Sequence, residues 1–369
     1  MGRQMFRRNA RAHRSNSTPG HGLDNGRTST GARSGVMKSS LKSASDAFLY
    51  FHAPCFDGIA SAVVASDFLE NSQRWTIKRF CAVDYGARAA WLSSQLHEPC
   101  AVVDFIYHPQ ALFWADHHST TFLTQQARLD FANRADFKSV IYDGAFGSCA
   151  RLLSQAVKER FAYCNPRFAE LVDWAEKIDA ARYTTVTEAV LGDAPALRIR
   201  ASLGFRREPE YFEQLVRALK RQTLADVARL PDVEESAKQV QSRVRAGLKR
   251  FEKGAWLADD GIVLFDVNGQ DAVVSRYAPY YFYPNARYSA GIVRSELGAK
   301  ITAMRNPWRE FPSVALGAIF EQFGGGGHER VGSLLLPPRQ MSEARLVLDR
   351  IVEAVRSQDA MPEPAGKIA

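Results

Sequence analysis

Long hydrophobic runs are missing from this chain of 369 residues. No stretch of eighteen apolar residues occurs, which excludes a membrane-spanning helix. Cysteine is scarce: Cys55, Cys81, Cys100, Cys149 and Cys164 make an odd five with no CxxC pair. That argues against a disulfide scaffold or zinc ribbon and for reduced thiols, as in a cytoplasm. Acidic residues are nearly absent from the first 36 positions, where seven arginines face only Asp24. This segment holds +6 of the formal +8, leaving +2 for the other 333 residues. Tracking a long polyanion needs many cations, so the near-neutral remainder weighs against a binder of long nucleic acids. Residues 1–46, rich in Ser, Thr, Gly and Asn in their basic part, read as a disordered tail. An organelle transit peptide and a true start at Met37 stay open as alternatives. There is no internal repeat.

From residue 47 short apolar strands alternate with helical stretches. AFLYFH (47–52), TIKRF (76–80), CAVVDF (100–105) and LFWAD (112–116) have strand character. GIASAVVASDFL and the stretches near 87–96, 147–158 and 167–180 have helix character. The alternation predicts an α/β fold with a parallel, doubly wound sheet, whose ligands gather at the carboxyl ends of the strands. A charged helical region follows over about 209–253, its mixed charges suiting a solvated connector. Strands near 261–267, 289–294 and 300–305, the helical SVALGAIFEQF, the loop GGGGHERVG and a closing helix over 342–357 predict a second, smaller α/β unit.

The chemistry-bearing residues sit at predicted strand ends. His52 ends the first strand, Asp57 opens the helix after it, Asp104 ends CAVVD, and Asp116, His117 and His118 end LFWAD. A single Asp or His after a strand is usually a cap or turn residue. Three such ends, rich in histidine and brought to one rim, form instead a ligand set for a divalent ion.

HAPCFDGIASA, CAVVDF and WADHHST, in that order, resemble the first three motifs of the DHH phosphoesterase superfamily, and LVDWAEKIDAARY supplies Asp179 for the fourth. FEQFGGGGHERVGS is similar to the GGGH signature of the DHH-associated domain. The resemblance implies a metal-binding catalytic domain (47–205), a helical connector (206–256), a substrate-binding domain (257–357) and a tail (358–369), with the active site in the interdomain cleft. It implies two divalent ions, manganese foremost, with magnesium, zinc or ferrous iron as alternatives. His52 would hold one ion; Asp57, His117 and Asp179 the other; Asp104 would bridge. Asp116 would support the site by fixing an imidazole tautomer, and His118 would donate to the scissile phosphate. Gly325, Gly326, Gly327 and His328 would bind substrate phosphate, as would Arg305 at the end of KITAMR.

One departure concerns the first motif. Oligoribonuclease-like members read His, three residues, Asp, one residue, Asp; here the spacing is one shorter and Cys55 takes the first Asp position. A thiolate suits zinc or ferrous iron better than manganese. A Cys55-ligated site, a water-filled site and a bystander cysteine all remain open. The expected function is hydrolysis of phosphodiester or phosphomonoester bonds in short oligonucleotides or small nucleotides. The alternatives are a single-strand-specific exonuclease and a catalytically weak nucleotide-binding regulatory module. The aromatic stretch SRYAPYYFYPNARYS could stack bases, although core and loop packing is its commoner use.

Overall fold

A computed structural model of the chain describes residues 43–134 and 138–359. The basic segment expected as a tail, up to residue 42, and the closing segment from residue 360 lie outside the described residues. Among the described residues, no helix is long and apolar enough to cross a membrane.

The first half opens with β1 (Ala47–His52), α1 (Phe56–Gln73), β2 (Ile77–Val83), β3 (Cys100–Val103) and β4 (Phe113–Asp116). It continues with α2 (Gln125–Asn133), β5 (Val140–Tyr142), α3 (Cys149–Phe161) and α4 (Ala169–Asp179). The five strands form one sheet in the order β2-β1-β3-β4-β5, every pair parallel. The expected parallel α/β fold is therefore present. β3 and β4 are buried along their whole length, as strands covered on both faces must be. α1 packs on β1 and touches α3, α4 and α7 (Pro209–Leu219). Every residue from Phe56 to Leu69 is buried, which explains its small, evenly apolar sequence with no solvent stripe.

One local expectation changes. The stretch 87–96 is not a helix but two short 3-10 turns, Tyr85–Ala87 and Trp91–Ser93. Ser93 and Ser94 turn their hydroxyls back onto the carbonyls of Ala90 and Trp91. Trp91 is drawn into the core, donating its indole N–H to the Ile106 carbonyl. Side-chain bonds of this kind compete with helical ones. The charged region after 205 is helical, in three pieces. α5 (Val186–Leu191) and α6 (Pro195–Phe205) precede α7, and α8 (Leu224–Val227) and α9 (Pro231–Gly254) follow it. Thr223 caps α8, and Pro231 sits where α9 begins, a position proline favours.

The second half carries β6 (Ala255–Leu257), β7 (Ile262–Asn268), α10 (Ala278–Phe282), β8 (Tyr288–Ser295) and β9 (Gly298–Arg305). It ends with α11 (Leu316–Glu321), β10 (Gly326–His328), β11 (Val331–Leu336) and α12 (Ala344–Asp359). Its sheet runs β10-β11-β9-β8-β7-β6, antiparallel except for β7 and β8. Phe251 on α9 is fully buried, with ring centroids 5.0 Å from Phe265 on β7 and 5.9 Å from Phe282 on α10. Phe251→Ala should cost about 3–5 kcal/mol, measured by urea unfolding; a loss below about 1 kcal/mol would mean that this seam is not a packed core.

Candidate metal centre

The carboxyl edge of the first sheet collects the predicted residues because β1, β3 and β4 are neighbours and parallel. His52 closes β1, and Cys55 stands at the N-cap of α1, where its side chain makes no capping hydrogen bond. Asp57 lies in the first turn. Asp104, one residue past β3, has φ of 54°. This left-handed conformation is uncommon outside glycine and is tolerated best by Asp and Asn. Asp116 ends β4, and His117 and His118 follow. Asp179 is the last residue of α4.

Three overlapping groups result, the ligand atoms in each lying within 4.8 Å of one another. They are His52 with Cys55 and Asp104; Asp57 with His117 and Asp179; and Asp104 with Asp116, His117 and His118. Asp104 belongs to both sides. Its Oδ2 is 3.6 Å from His52 Nδ1, and its Oδ1 is 3.8 Å from His117 Nε2. His117 Nε2 is also 3.8 Å from Asp57 Oδ2 and 3.4 Å from Asp179 Oδ2. Most of these separations are too long for good hydrogen bonds. Ligand atoms placed about 2.1 Å from one ion stand about 3–4 Å apart, so the spacing fits a shared cation.

Hydrogen bonds around the group set the ring orientations. His117 Nδ1 is 3.0 Å from the Phe146 carbonyl oxygen. A carbonyl only accepts, so Nδ1 carries the proton and Nε2 presents its lone pair to the three carboxylates. Asp116, itself 1% exposed, accepts from the His117 amide and meets His118 Nδ1 at 2.8 Å. Both oxygens of Asp57 accept amides at the start of α3, from Cys149 at 2.6 Å and Ala150 at 3.0 Å. His52 Nδ1, both oxygens of Asp104 and His117 Nε2 are buried with no hydrogen-bond partner. Orphaned buried polar atoms are rare and costly. Four converging between carboxylates and imidazoles make a donor set that could hold a metal, and the residues fit divalent ions.

The electrostatics agree. Burial, then the charges of Asp57, Asp116 and Asp179, push the Asp104 carboxyl well above its usual range. Asp57 is also raised, chiefly by burial. Asp179, 30% exposed, is pushed up to about 6 by partial loss of water and by Asp57. Burial and then His118 lower His52 to about 4, leaving a neutral ring. Burial opposes protonation of His118, but the Asp116 hydrogen bond and nearby carboxylates outweigh it and raise its pKa. The Cys55 thiol is raised by burial and by Asp104, Asp179 and Asp57. Crowded carboxylates that resist ionisation are what a cation among them would relieve.

The phosphate-binding candidates lie on the second sheet. Arg305 is 3% exposed, and its guanidinium donates to the carbonyls of Asn306 and Phe311 and stacks on the Phe311 ring. Its exposed partner Glu310 stands 3.5 Å away. The expected grip on substrate therefore meets a side chain already engaged inside its own half. Gly326 and Gly327 belong to the β10–β11 hairpin. A Cβ on Gly325 or Gly327 would meet the backbone oxygen of Ser333 at 2.6 Å or of Val331 at 2.1 Å, so close packing alone accounts for these two glycines. The His328 side chain lies outside the described residues.

Several contributors escaped sequence reading. The Phe146 carbonyl and the α3 amides are backbone groups and leave no signal. Tyr85 stands edge-on to His52, ring centroids 4.7 Å apart, and is 39% exposed. Arg276 is exposed and close enough to Asp179 to stabilise its ionised form; in sequence it is one of two arginines in the aromatic stretch. Trp308 joins the halves by donating its indole N–H to the Tyr183 carbonyl at 3.0 Å.

A parallel sheet with carboxylates and imidazoles on its carboxyl edge, followed by a second mixed sheet, is an arrangement shared with solved structures. Among solved structures, the pGpG-specific phosphodiesterase PggH from Vibrio cholerae is similar with a TM-score of 0.63 and 16% identity, over 84% of this chain and 99% of that one. An exopolyphosphatase-related protein from Bacteroides fragilis is similar with a TM-score of 0.50 and 16% identity, over 86% and 93%. The likeness is one of fold. No family model and no curated protein matches the sequence.

Gly58 decides how closely α1 approaches β1. A Cβ there would stand 1.9 Å from the His52 carbonyl oxygen and 3.2 Å from Asp104 Oδ2. Gly58→Ala should destabilise the chain by about 1–3 kcal/mol or more and weaken divalent-ion binding, read by denaturation and by equilibrium dialysis. Unchanged stability and binding would refute the close-approach argument.

Proposed function

We propose that the chain is a divalent-metal-dependent phosphoesterase hydrolysing phosphodiester or phosphomonoester bonds of small nucleotides or short oligonucleotides. The observation that carries the reading is the set of four buried, partnerless polar atoms on His52, Asp104 and His117. His52 and Asp104 would hold one ion, Asp57, His117 and Asp179 a second, and Asp104 would reach both through its two oxygens. Manganese is the ion we favour for the second group, whose donors are carboxylates and imidazole. Bound divalent ions would supply Lewis acidity toward phosphoryl oxygens and a water of lowered pKa.

The chain's own groups do the rest. Asp116 holds His118 by Nδ1, so Nε2 can donate to a phosphoryl oxygen when the ring is charged, a state the nearby carboxylates favour. The Phe146 carbonyl keeps His117 in the tautomer that offers Nε2. Arg276, from the second half, offers a cation beside Asp179 for the substrate's outer phosphate. The fold shared with a pGpG-specific phosphodiesterase supports testing linear dinucleotides first.

Purified protein should hydrolyse pGpG or a short RNA with manganese and stop when the metal is chelated. Manganese at about 100 times its dissociation constant should stabilise the fold by about 2.7 kcal/mol, and His117→Ala should remove that stabilisation. No turnover with manganese, magnesium, zinc or ferrous iron on nucleotides, oligonucleotides or a generic phosphodiester would overturn the proposal. Asp116→Asn should cost about 10–100-fold in activity, as orienting partners of this kind do. Arg276→Ala should raise KM for a substrate with a terminal phosphate more than it lowers kcat; equal effects on a substrate lacking that phosphate would remove Arg276 from the phosphate site.

A further inference from the structure

Resting on that reading, one residue distinguishes the two halves of the metal centre. Cys55 occupies a helix N-cap, where Ser, Thr, Asp or Asn normally caps through its side chain. Its side chain makes no capping bond. The sulfur instead stands within 4.8 Å of ligand atoms of His52 and Asp104. Asp104 is 1% exposed, both its oxygens lack a hydrogen-bond partner, and so does His52 Nδ1. The other group, Asp57, His117 and Asp179, offers only oxygen and nitrogen.

We infer that Cys55 is a metal ligand, so that His52, Cys55 and Asp104 form a sulfur-bearing site selective for a borderline ion such as zinc, cobalt or ferrous iron. The adjacent Asp57–His117–Asp179 site keeps a harder donor set. Thiolate, imidazole and carboxylate together are a donor set for borderline ions, whereas manganese prefers carboxylate, carbonyl and water. On binding, the Cys55 S–H bond breaks, the sulfur lone pair forms the bond to the ion, and the proton passes to water. No oxidation state changes. The chain would then be mixed in metal preference: one borderline and one hard site sharing Asp104.

Cobalt(II) is a spectroscopic probe for this arrangement. The full chain, stripped of metal and titrated with cobalt, should show d–d bands together with a sulfur-to-cobalt charge-transfer band in the near ultraviolet. Cys55→Asp and Cys55→Ser should keep the d–d bands and lose the charge-transfer band, the other four cysteines being unchanged. In competition dialysis, Cys55→Asp should shift the zinc-to-manganese preference toward manganese by about tenfold or more, since even outer-shell partners alter metal affinity on that scale. If cobalt binds but wild type and variants share one near-ultraviolet spectrum, Cys55 is a bystander and the phosphoesterase reading stands without it. If dialysis finds no divalent ion on the wild-type chain, both readings fall together.

Discussion

The His117 ring imposes the constraint on which the centre depends. Its Nδ1 proton is committed to the Phe146 carbonyl, so Nε2 can only accept. Three carboxylates, also acceptors when ionised, surround that lone pair at 3.4–3.8 Å. Acceptor facing acceptor in a buried space is unfavourable unless protons or cations stand between. The raised pKa values of Asp57, Asp104 and Asp179 express the same conflict from the carboxylate side. Positive charge bound between them would remove it, whereas protonation, the other relief, would disable the carboxylates as ligands.

The fold is organised to hold this arrangement against its own repulsion. Asp57 is anchored by two amides at the start of α3, whose helix dipole favours a negative charge there. Asp116 is tied to the His117 amide and the His118 ring. Asp104 is held in left-handed backbone between two buried strands. α1 brings Cys55, Asp57 and Gly58 to the edge at once, and it can do so because it is buried from Phe56 to Leu69. Its small side chains let sheet and helices close around it, so stability of the core and geometry of the site are one requirement.

That division explains what was legible in sequence. His52, Asp57, Asp104, Asp116, His117 and His118 stand at strand ends or helix starts, and parallel pairing of β1, β3 and β4 brings them together. Strand character and chemistry both mark them. Asp179 needed a motif, because an acid at a helix end has ordinary uses. The tautomer-setting carbonyl and anchoring amides are backbone groups whose positions depend on how α3 docks. The 87–96 stretch reads as helical in sequence because the tertiary role of Trp91 and the back-bonding of Ser93 and Ser94 leave no periodic mark. Arg305 shows what residue type alone leaves out: a strand-end arginine suits phosphate, and here the side chain is buried, bonded to carbonyls and stacked on Phe311.

Charge closes the argument about substrate size. The formal +8 suggests a nucleic-acid surface, but +6 of it belongs to the first 36 residues. At the centre itself the protein contributes Asp57, Asp104, Asp116 and Asp179, with Arg276 the cation beside Asp179. Such a site repels phosphate unless metal is bound, and attraction then extends only a short way because water and salt screen it. A long strand would gain little from the rest of the near-neutral surface. On the proposed reading, a small nucleotide or short oligonucleotide would place most of its charge within reach of the ions and Arg276, so the electrostatics that call for metal would also favour a short substrate.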